Sequence, residues 1–302
     1  MRHYWYEHPM KKNWDGSVAV FLGLLFSIPA YAVVADHYLS TKDTPKSVCY
    51  IQYYKSSGEN LPDSGCTGTL IRPNRILTAA HCTDAFKAKE KSTAVADCGG
   101  RSFNVDGFEA NPEDTPSNDE STHIHDVSIL NVSGKNIPGS KNFITPMVLA
   151  DTTDKMNQAL LDPTQCAMYG YGQTSDTSPN ATIAGRRNWG ELMIATIQYV
   201  DSDTGTFPVK GWKDSQTKIY SGPKVHAGHG DSGGPILCKQ ADGSYTQVAV
   251  TTLEEPLELE SVDAVTKKKH TTEEEFSVHE AIPFNLNWIQ QTADLPTLSN
   301  KL

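Results

Sequence analysis

The sequence predicts an all-β fold finished by one short C-terminal helix, and three observations carry that prediction. Short runs rich in Val, Ile, Tyr and Thr recur between clusters of Gly, Pro, Asn and Asp, for example Val48 to Tyr54, Thr67 to Ile71 and Gln247 to Thr252. That is the pattern of strands punctuated by turns. A helical pattern occurs only near the end, where Asn287, Trp288, Ile289, Gln290, Gln291 and Thr292 read as a short amphipathic helix. At 302 residues, 38% hydrophobic and 21% charged, the chain has the length and composition to bury a large core, and neither disorder nor a fibrous repeat is indicated.

From the N-terminus, the first element reads as an export signal. Lys11 and Lys12 precede an apolar run from Val18 to Ile28, which ends in Pro29, Ala30, Tyr31 and Ala32. These are an n-region, an h-region and an A-x-A cleavage site, so residues 1–32 are expected to be removed. The run falls short of the roughly 20 apolar residues a membrane span requires, which leaves no membrane contact expected after signal removal. Met10, directly before the two lysines, reads as an ordinary start codon.

All six cysteines, Cys49, Cys66, Cys82, Cys98, Cys166 and Cys238, follow that cleavage point. An even count behind an export signal points to three disulfides and to an oxidising compartment, secreted or periplasmic. No C-x-x-C pair or His/Cys cluster has zinc-site spacing, so neither metal nor cofactor is expected. A formal net charge of −10 disfavours nucleic acid as a partner. Asn111 to Ser121, Gln173 to Arg187 and Glu254 to Glu275 are polar, turn-rich or densely charged, and read as long surface loops.

Three local motifs carry chemistry. Leu77-Thr78-Ala79-Ala80-His81-Cys82 places a histidine after an apolar strand end, His125-Asp126-Val127-Ser128-Ile129-Leu130 places a carboxylate before an apolar run, and Gly230-Asp231-Ser232-Gly233-Gly234-Pro235 places a serine in a glycine-rich turn. A serine hydroxyl needs a base to become a nucleophile, and an imidazole with a pKa of about 6.5 suits that task. His81 would be the base, Asp126 would fix its tautomer and stabilise the imidazolium, and Ser232 would attack. Glycines beside the serine let backbone N–H groups reach a developing oxyanion, with Gly230 and Ser232 as the donors. The G-x-S-x-G match also fits the nucleophile turn of an α/β-hydrolase, but the chain after Ser232 lacks alternating strand and helix patterns.

The T-A-A-H-C and G-D-S-G-G-P segments, with D-x-x-[IL]-L between them, resemble the chymotrypsin/trypsin-like serine proteases over nearly all of residues 33–302. The resemblance implies two six-stranded antiparallel β-barrels with a short C-terminal helix, the triad in the cleft between them, and peptide-bond hydrolysis through an acyl-enzyme. It implies a Cys66–Cys82 bridge and a Cys166–Cys238 bridge; Cys49 and Cys98 are left to pair in a bridge foreign to the family pattern. Thr251 falls where family members usually carry a serine that hydrogen-bonds the catalytic aspartate. Partners would be protein or peptide substrates, and the enzyme would be a monomer.

Two departures concern activation and specificity. Cleavage after Ala32 would expose Val33-Val34-Ala35-Asp36, which resembles the family's I-V-G-G start without its glycines, and the Val33 α-amine would pair with Asp231. His226, six residues before the nucleophile, stands where trypsins carry the aspartate that selects Arg and Lys. Leu253 and a residue near Ser277 stand where glycines often line the same pocket, and Gly228 replaces a bracing cysteine. The expectation is a narrowed pocket favouring acidic or polar side chains. The competing functional reading is a protease-like binding protein without activity.

Overall fold

The computed structural model describes residues 34–35, 44–54, 60–87, 93–114, 125–134, 136–152, 154–156, 165–172, 193–196, 218–221, 225–262 and 269–295. A two-residue strand, β1 (Val34–Ala35), precedes β2 (Val48–Tyr54), β3 (Asn60–Arg72), β4 (Arg75–Thr78), helix α1 (His81–Lys87), β5 (Thr93–Cys98), β6 (Arg101–Ala110) and β7 (Ser128–Ser133). Strands β2 to β7 close an antiparallel barrel in the order β2-β3-β4-β7-β6-β5, which pairs both edges of β2. Successive side chains alternate between the two faces, and Ile51, Leu70, Ile76, Leu77, Phe103, Ile129 and Leu130, each at 1% exposure or less, belong to one buried cluster.

The second half adds β8 (Val148–Leu149), β9 (Cys166–Gly170), β10 (Met193–Thr196), β11 (Lys218–Ser221), β12 (Val225–His226), β13 (Pro235–Lys239), β14 (Tyr245–Val262) and β15 (Lys269–Ala281), then helix α2 (Ile282–Thr292). Its main sheet runs β10-β9-β13-β14-β15-β11, with β8 parallel to β14. The sequence reading expected a second closed barrel; among the described residues this unit is a sheet. Much of the chain between β9 and β12, including Gln173 to Arg187, lies outside the described residues.

Three disulfides staple these elements. Cys49–Cys98 joins directly paired positions of β2 and β5, Cys166–Cys238 does the same for β9 and β13, and Cys66–Cys82 ties β3 to α1. Helix α2 begins at Ile282, a turn earlier than the sequence pattern suggested, because Pro283 is tolerated in a first turn and Ile282, Leu286 and Ile289 form one buried stripe. That stripe joins the apolar core of the first barrel, and Arg72 Nη1 donates to the Ala293 carbonyl at 3.2 Å. Among the described residues no helix is long and apolar enough to cross a membrane.

Within Glu254 to Glu275 the described residues, 254–262 and 269–275, are strand rather than loop, and residues 263–268 lie outside them. Both arms are strands of a long hairpin in which Leu257 pairs with Glu274, Glu258 with Glu273 and Leu259 with Thr272. The underlying signal is a period of two, with Leu257 and Leu259 alternating with Glu258 and Glu260, and the charge density obscured it. At Asn111 the expected loop begins as a side-chain-capped turn, with Asn111 Oδ1 accepting from Glu113 N–H at 3.0 Å; residues 115–121 lie outside the described residues.

Candidate active site

Strand register brings the first two candidate residues together. β4 and β7 are antiparallel neighbours with Thr78 opposite Ser128. The chain leaving β4 therefore delivers His81 to the same barrel rim from which Asp126 enters β7. Asp126 is fully buried. Its Oδ2 lies 2.7 Å from His81 Nδ1, and its Oδ1 accepts the His81 backbone N–H at 2.9 Å. A carboxylate accepts only, so Nδ1 carries the proton and Nε2 keeps its lone pair. Burial opposes protonation of the His81 ring, but the charge and hydrogen bond of Asp126, supported by Asp84 and Asp114, outweigh it and raise the pKa above 6.5.

Asp126 sits at the centre of a tight turn in which Val127 N–H donates to the His125 carbonyl at 2.6 Å, and His125 itself has φ +61°. A non-glycine residue persists in that left-handed region when its surroundings hold it there. Here His125 Nδ1 lies 2.8 Å from Asn285 Oδ1, and its ring stacks on Phe284 of α2 with centroids 4.4 Å apart. Buried Asn285 also accepts from Asn111 Nδ2 at 3.3 Å and donates to Glu280 Oε2 at 3.3 Å. The C-terminal helix thus steadies the residue before Asp126. An asparagine on a helical face gives no sequence signal of that role.

Ser232 comes from the other unit, just before β13. Gly230 (φ +99°) and Gly233 (φ +80°) on either side adopt backbone conformations that L side chains rarely reach. A Cβ at Gly233 would also land on Thr78 Oγ1 and the Thr67 carbonyl oxygen. Ser232 Oγ donates to the Thr252 carbonyl at 3.4 Å, a long bond that a rotation about χ1 gives up readily. Cys82 Sγ lies 3.9 Å from His81 Nε2 and 3.6 Å from the Ser232 carbonyl oxygen, so the ring and the serine turn flank one sulfur of the Cys66–Cys82 bridge.

The turn before Ser232 is fixed through Asp231. Its Oδ1 accepts from Gly172 N–H at 2.8 Å and its Oδ2 from Gly228 N–H at 2.7 Å. A Cβ at Gly170 would collide with the Asp231 carboxylate, which is why Gly170-Tyr171-Gly172 carries its glycines. Val34 of β1 pairs with His226 of β12. The residue after Val33 therefore lies beside the strand that leads into this turn; Val33 itself lies outside the described residues.

Of the residues read from the sequence as pocket-lining, His226 lies on β12 and Leu253 on β14, and the side chains of both lie outside the described residues. Ser277 is fully buried, with its Oγ accepting the Ala227 N–H. Thr251 does not take the expected place beside Asp126: its Oγ1 lies 3.1 Å from Nδ1 of fully buried His279. A register shift in the β14/β15 pairing between Thr251 and Leu253 turns Thr252 inward as well, where its Oγ1 donates to the Val278 carbonyl at 2.9 Å. Single-residue register of this kind is not visible in composition.

The sequence profile of the trypsin family matches residues 41–267. The chain belongs to the trypsin family. Among curated relatives it is 29% identical over 186 residues to Kallikrein-8 of Homo sapiens, covering 58% of this chain and 63% of that protein. It is 27% identical over 192 residues to Chymotrypsin-like elastase family member 1 of Canis lupus familiaris, covering 62% and 69%, and 24% identical over 196 residues to Ovochymase-2 of Mus musculus, covering 62% and 30%. The chain thus spans less than two thirds of the length of Kallikrein-8 and Ovochymase-2.

Proposed function

We propose that the chain is a serine endopeptidase that hydrolyses peptide bonds through an acyl-enzyme. His81 acts as general base, Asp126 as the orienting carboxylate and Ser232 as nucleophile, with the backbone N–H groups of Gly230 and Ser232 stabilising the oxyanion. The observation that carries this reading is the His81 Nδ1 to Asp126 Oδ2 contact at 2.7 Å, made by a fully buried carboxylate to a ring that shares the Cys82 sulfur with the Ser232 turn. Residues 1–32 act as signal peptide and residues 33–302 as the protease domain, exported to an oxidising compartment. Three disulfides are consistent with that destination. Substrates are proteins or peptides.

Signal cleavage after Ala32 creates the Val33 α-amine, which pairs with Asp231 and orders the oxyanion turn. The pairing of Val34 with His226 supports this route by running the new terminus alongside β12. His226 at the pocket floor, with Leu253 and a residue near Ser277 narrowing it, directs cleavage toward acidic or polar side chains. N-terminal sequencing of active enzyme should begin at Val33, and a cleavage profile dominated by Arg and Lys would overturn the pocket assignment.

A fluorophosphonate probe tests the central claim. It should label Ser232 of the wild type, and Ser232→Ala should lose both label and casein hydrolysis, the latter by on the order of 10⁶-fold. An unlabelled wild type would point to the protease-like binding protein.

A further inference from the structure

We infer that Thr67 is a positioning residue for the oxyanion hole, an assignment that rests on the endopeptidase reading. Thr67 lies on β3 of the first barrel and is fully buried, yet all of its polar groups meet the turn around Ser232 or the segments that hold it. Its backbone N–H donates to the Ser232 carbonyl at 2.9 Å. Its side-chain hydroxyl donates to the Gly230 carbonyl at 2.9 Å and accepts the Tyr171 N–H at 3.0 Å. Its carbonyl accepts Thr78 Oγ1 at 2.8 Å.

One residue therefore anchors the carbonyls of both residues whose N–H groups form the oxyanion hole. Tyr171 N–H occupies a lone pair of the hydroxyl, and the single hydroxyl proton is committed to Gly230. That bond fixes the plane of the peptide following Gly230, a glycine at φ +99° with no side chain to restrain it. Meanwhile the next residue along, Gly172, grips Asp231 Oδ1. Oxyanion donors act through placement fixed before the charge develops, so a hydroxyl that removes freedom from their turn acts on the transition state more than on substrate binding.

Thr67→Val keeps the branched shape and deletes the hydroxyl, and Thr67→Ser keeps the hydroxyl and deletes a methyl. In the mature enzyme, Thr67→Val should lower kcat roughly tenfold to a hundredfold with KM within about threefold. A peptide boronic acid that places oxygen in the oxyanion hole should lose affinity by a similar factor. Thr67→Ser should recover both within about threefold, and the acid limb of kcat/KM, set by His81, should not move in either variant. Equal kcat and boronate affinity in Thr67→Val and wild type would overturn the assignment, as would a loss that Thr67→Ser fails to recover. If Thr67→Val does not fold, Thr67→Ser compared with Thr67→Ala carries the same test, and equal boronate affinity in those two overturns it. Fluorophosphonate labelling of wild-type Ser232, measured alongside, separates failure of this assignment from failure of the endopeptidase reading: an unlabelled wild type removes both.

Discussion

Buried His279 should make the protein lose stability as pH falls below neutrality, and replacing it should reverse that trend. Burial pushes the pKa of its ring down from 6.5 to about 3. Above pH 6.5 the ring is neutral in both folded and unfolded chains and contributes no pH dependence. Below 6.5 the unfolded chain takes up a proton that the folded one refuses, so stability declines as pH falls toward 3, by about 1.4 kcal/mol per unit. From pH 6.5 to 4.5 the loss is about 2 kcal/mol, a substantial part of the roughly 5–15 kcal/mol of a typical domain. His279→Phe retains an aromatic ring, removes the titrating group and deletes the bond to Thr251, which costs about 1 kcal/mol. Urea unfolding at a series of pH values should find the variant less stable than wild type at pH 7.5 and more stable at pH 4.5, with the curves crossing near pH 6. His81 contributes with the opposite sign, its raised pKa giving stability that is full below 6.5 and lost as pH rises through the folded value. It is common to both proteins and cancels in the difference. A stability difference that stays constant across this pH range would refute the reasoning.

Three further outcomes follow from the geometry. Asp126→Asn removes the charge that outweighs burial at His81, so the acid limb of kcat/KM should move from above 6.5 to below it while kcat falls about 10⁴-fold; pH–rate profiles check both. Gly233→Ala should unfold the domain or abolish fluorophosphonate labelling, since φ +80° and the Thr67 carbonyl leave no room for a methyl; circular dichroism and labelling decide. Removing the Cys49–Cys98 bridge, which closes a separation of 49 residues, should cost about 4 kcal/mol, read as a lower urea midpoint for Cys49→Ala/Cys98→Ala.

What could be read from the sequence divides according to whether the chemistry is local. Val48 to Tyr54 and Gln247 to Thr252 announce themselves as strands because β-branched and aromatic runs are bounded by turn residues, and β2 and β14 contain them. The turn around Ser232 is equally legible as a turn, since its glycines Gly230 and Gly233 take the positive φ that other residues rarely adopt. Thr251 was misplaced because a one-residue shift in the β14/β15 pairing decides which threonine faces which neighbour. The strands within Glu254 to Glu275 are hard to see in the sequence because glutamates are register partners, Glu258 with Glu273 and Leu257 with Glu274, and such charge density reads as solvated loop.

The hardest residues to foresee are those that hold the site from far away in sequence. Thr67 meets Gly230 across 163 positions, and His125 meets Asn285 across 160. In each case the local sequence is unremarkable: a threonine in a strand, an asparagine in a helix. Their significance arises only when the first barrel, the second sheet and helix α2 converge on the same few backbone groups. Under the proposed mechanism this arrangement divides the work of catalysis. Strands β4 and β7 set the His81–Asp126 distance, whereas the turn around Ser232 is held by Thr67 across the two units and, within the second, by Gly172 and Gly228 on Asp231. Perturbing the first set should move the pH profile, and perturbing the second should move transition-state affinity at constant pH profile. Comparing Asp126→Asn with Thr67→Val in one assay therefore tests whether the two halves of the site are independent: if both variants shift the same parameter, the site is a single coupled network and this division fails.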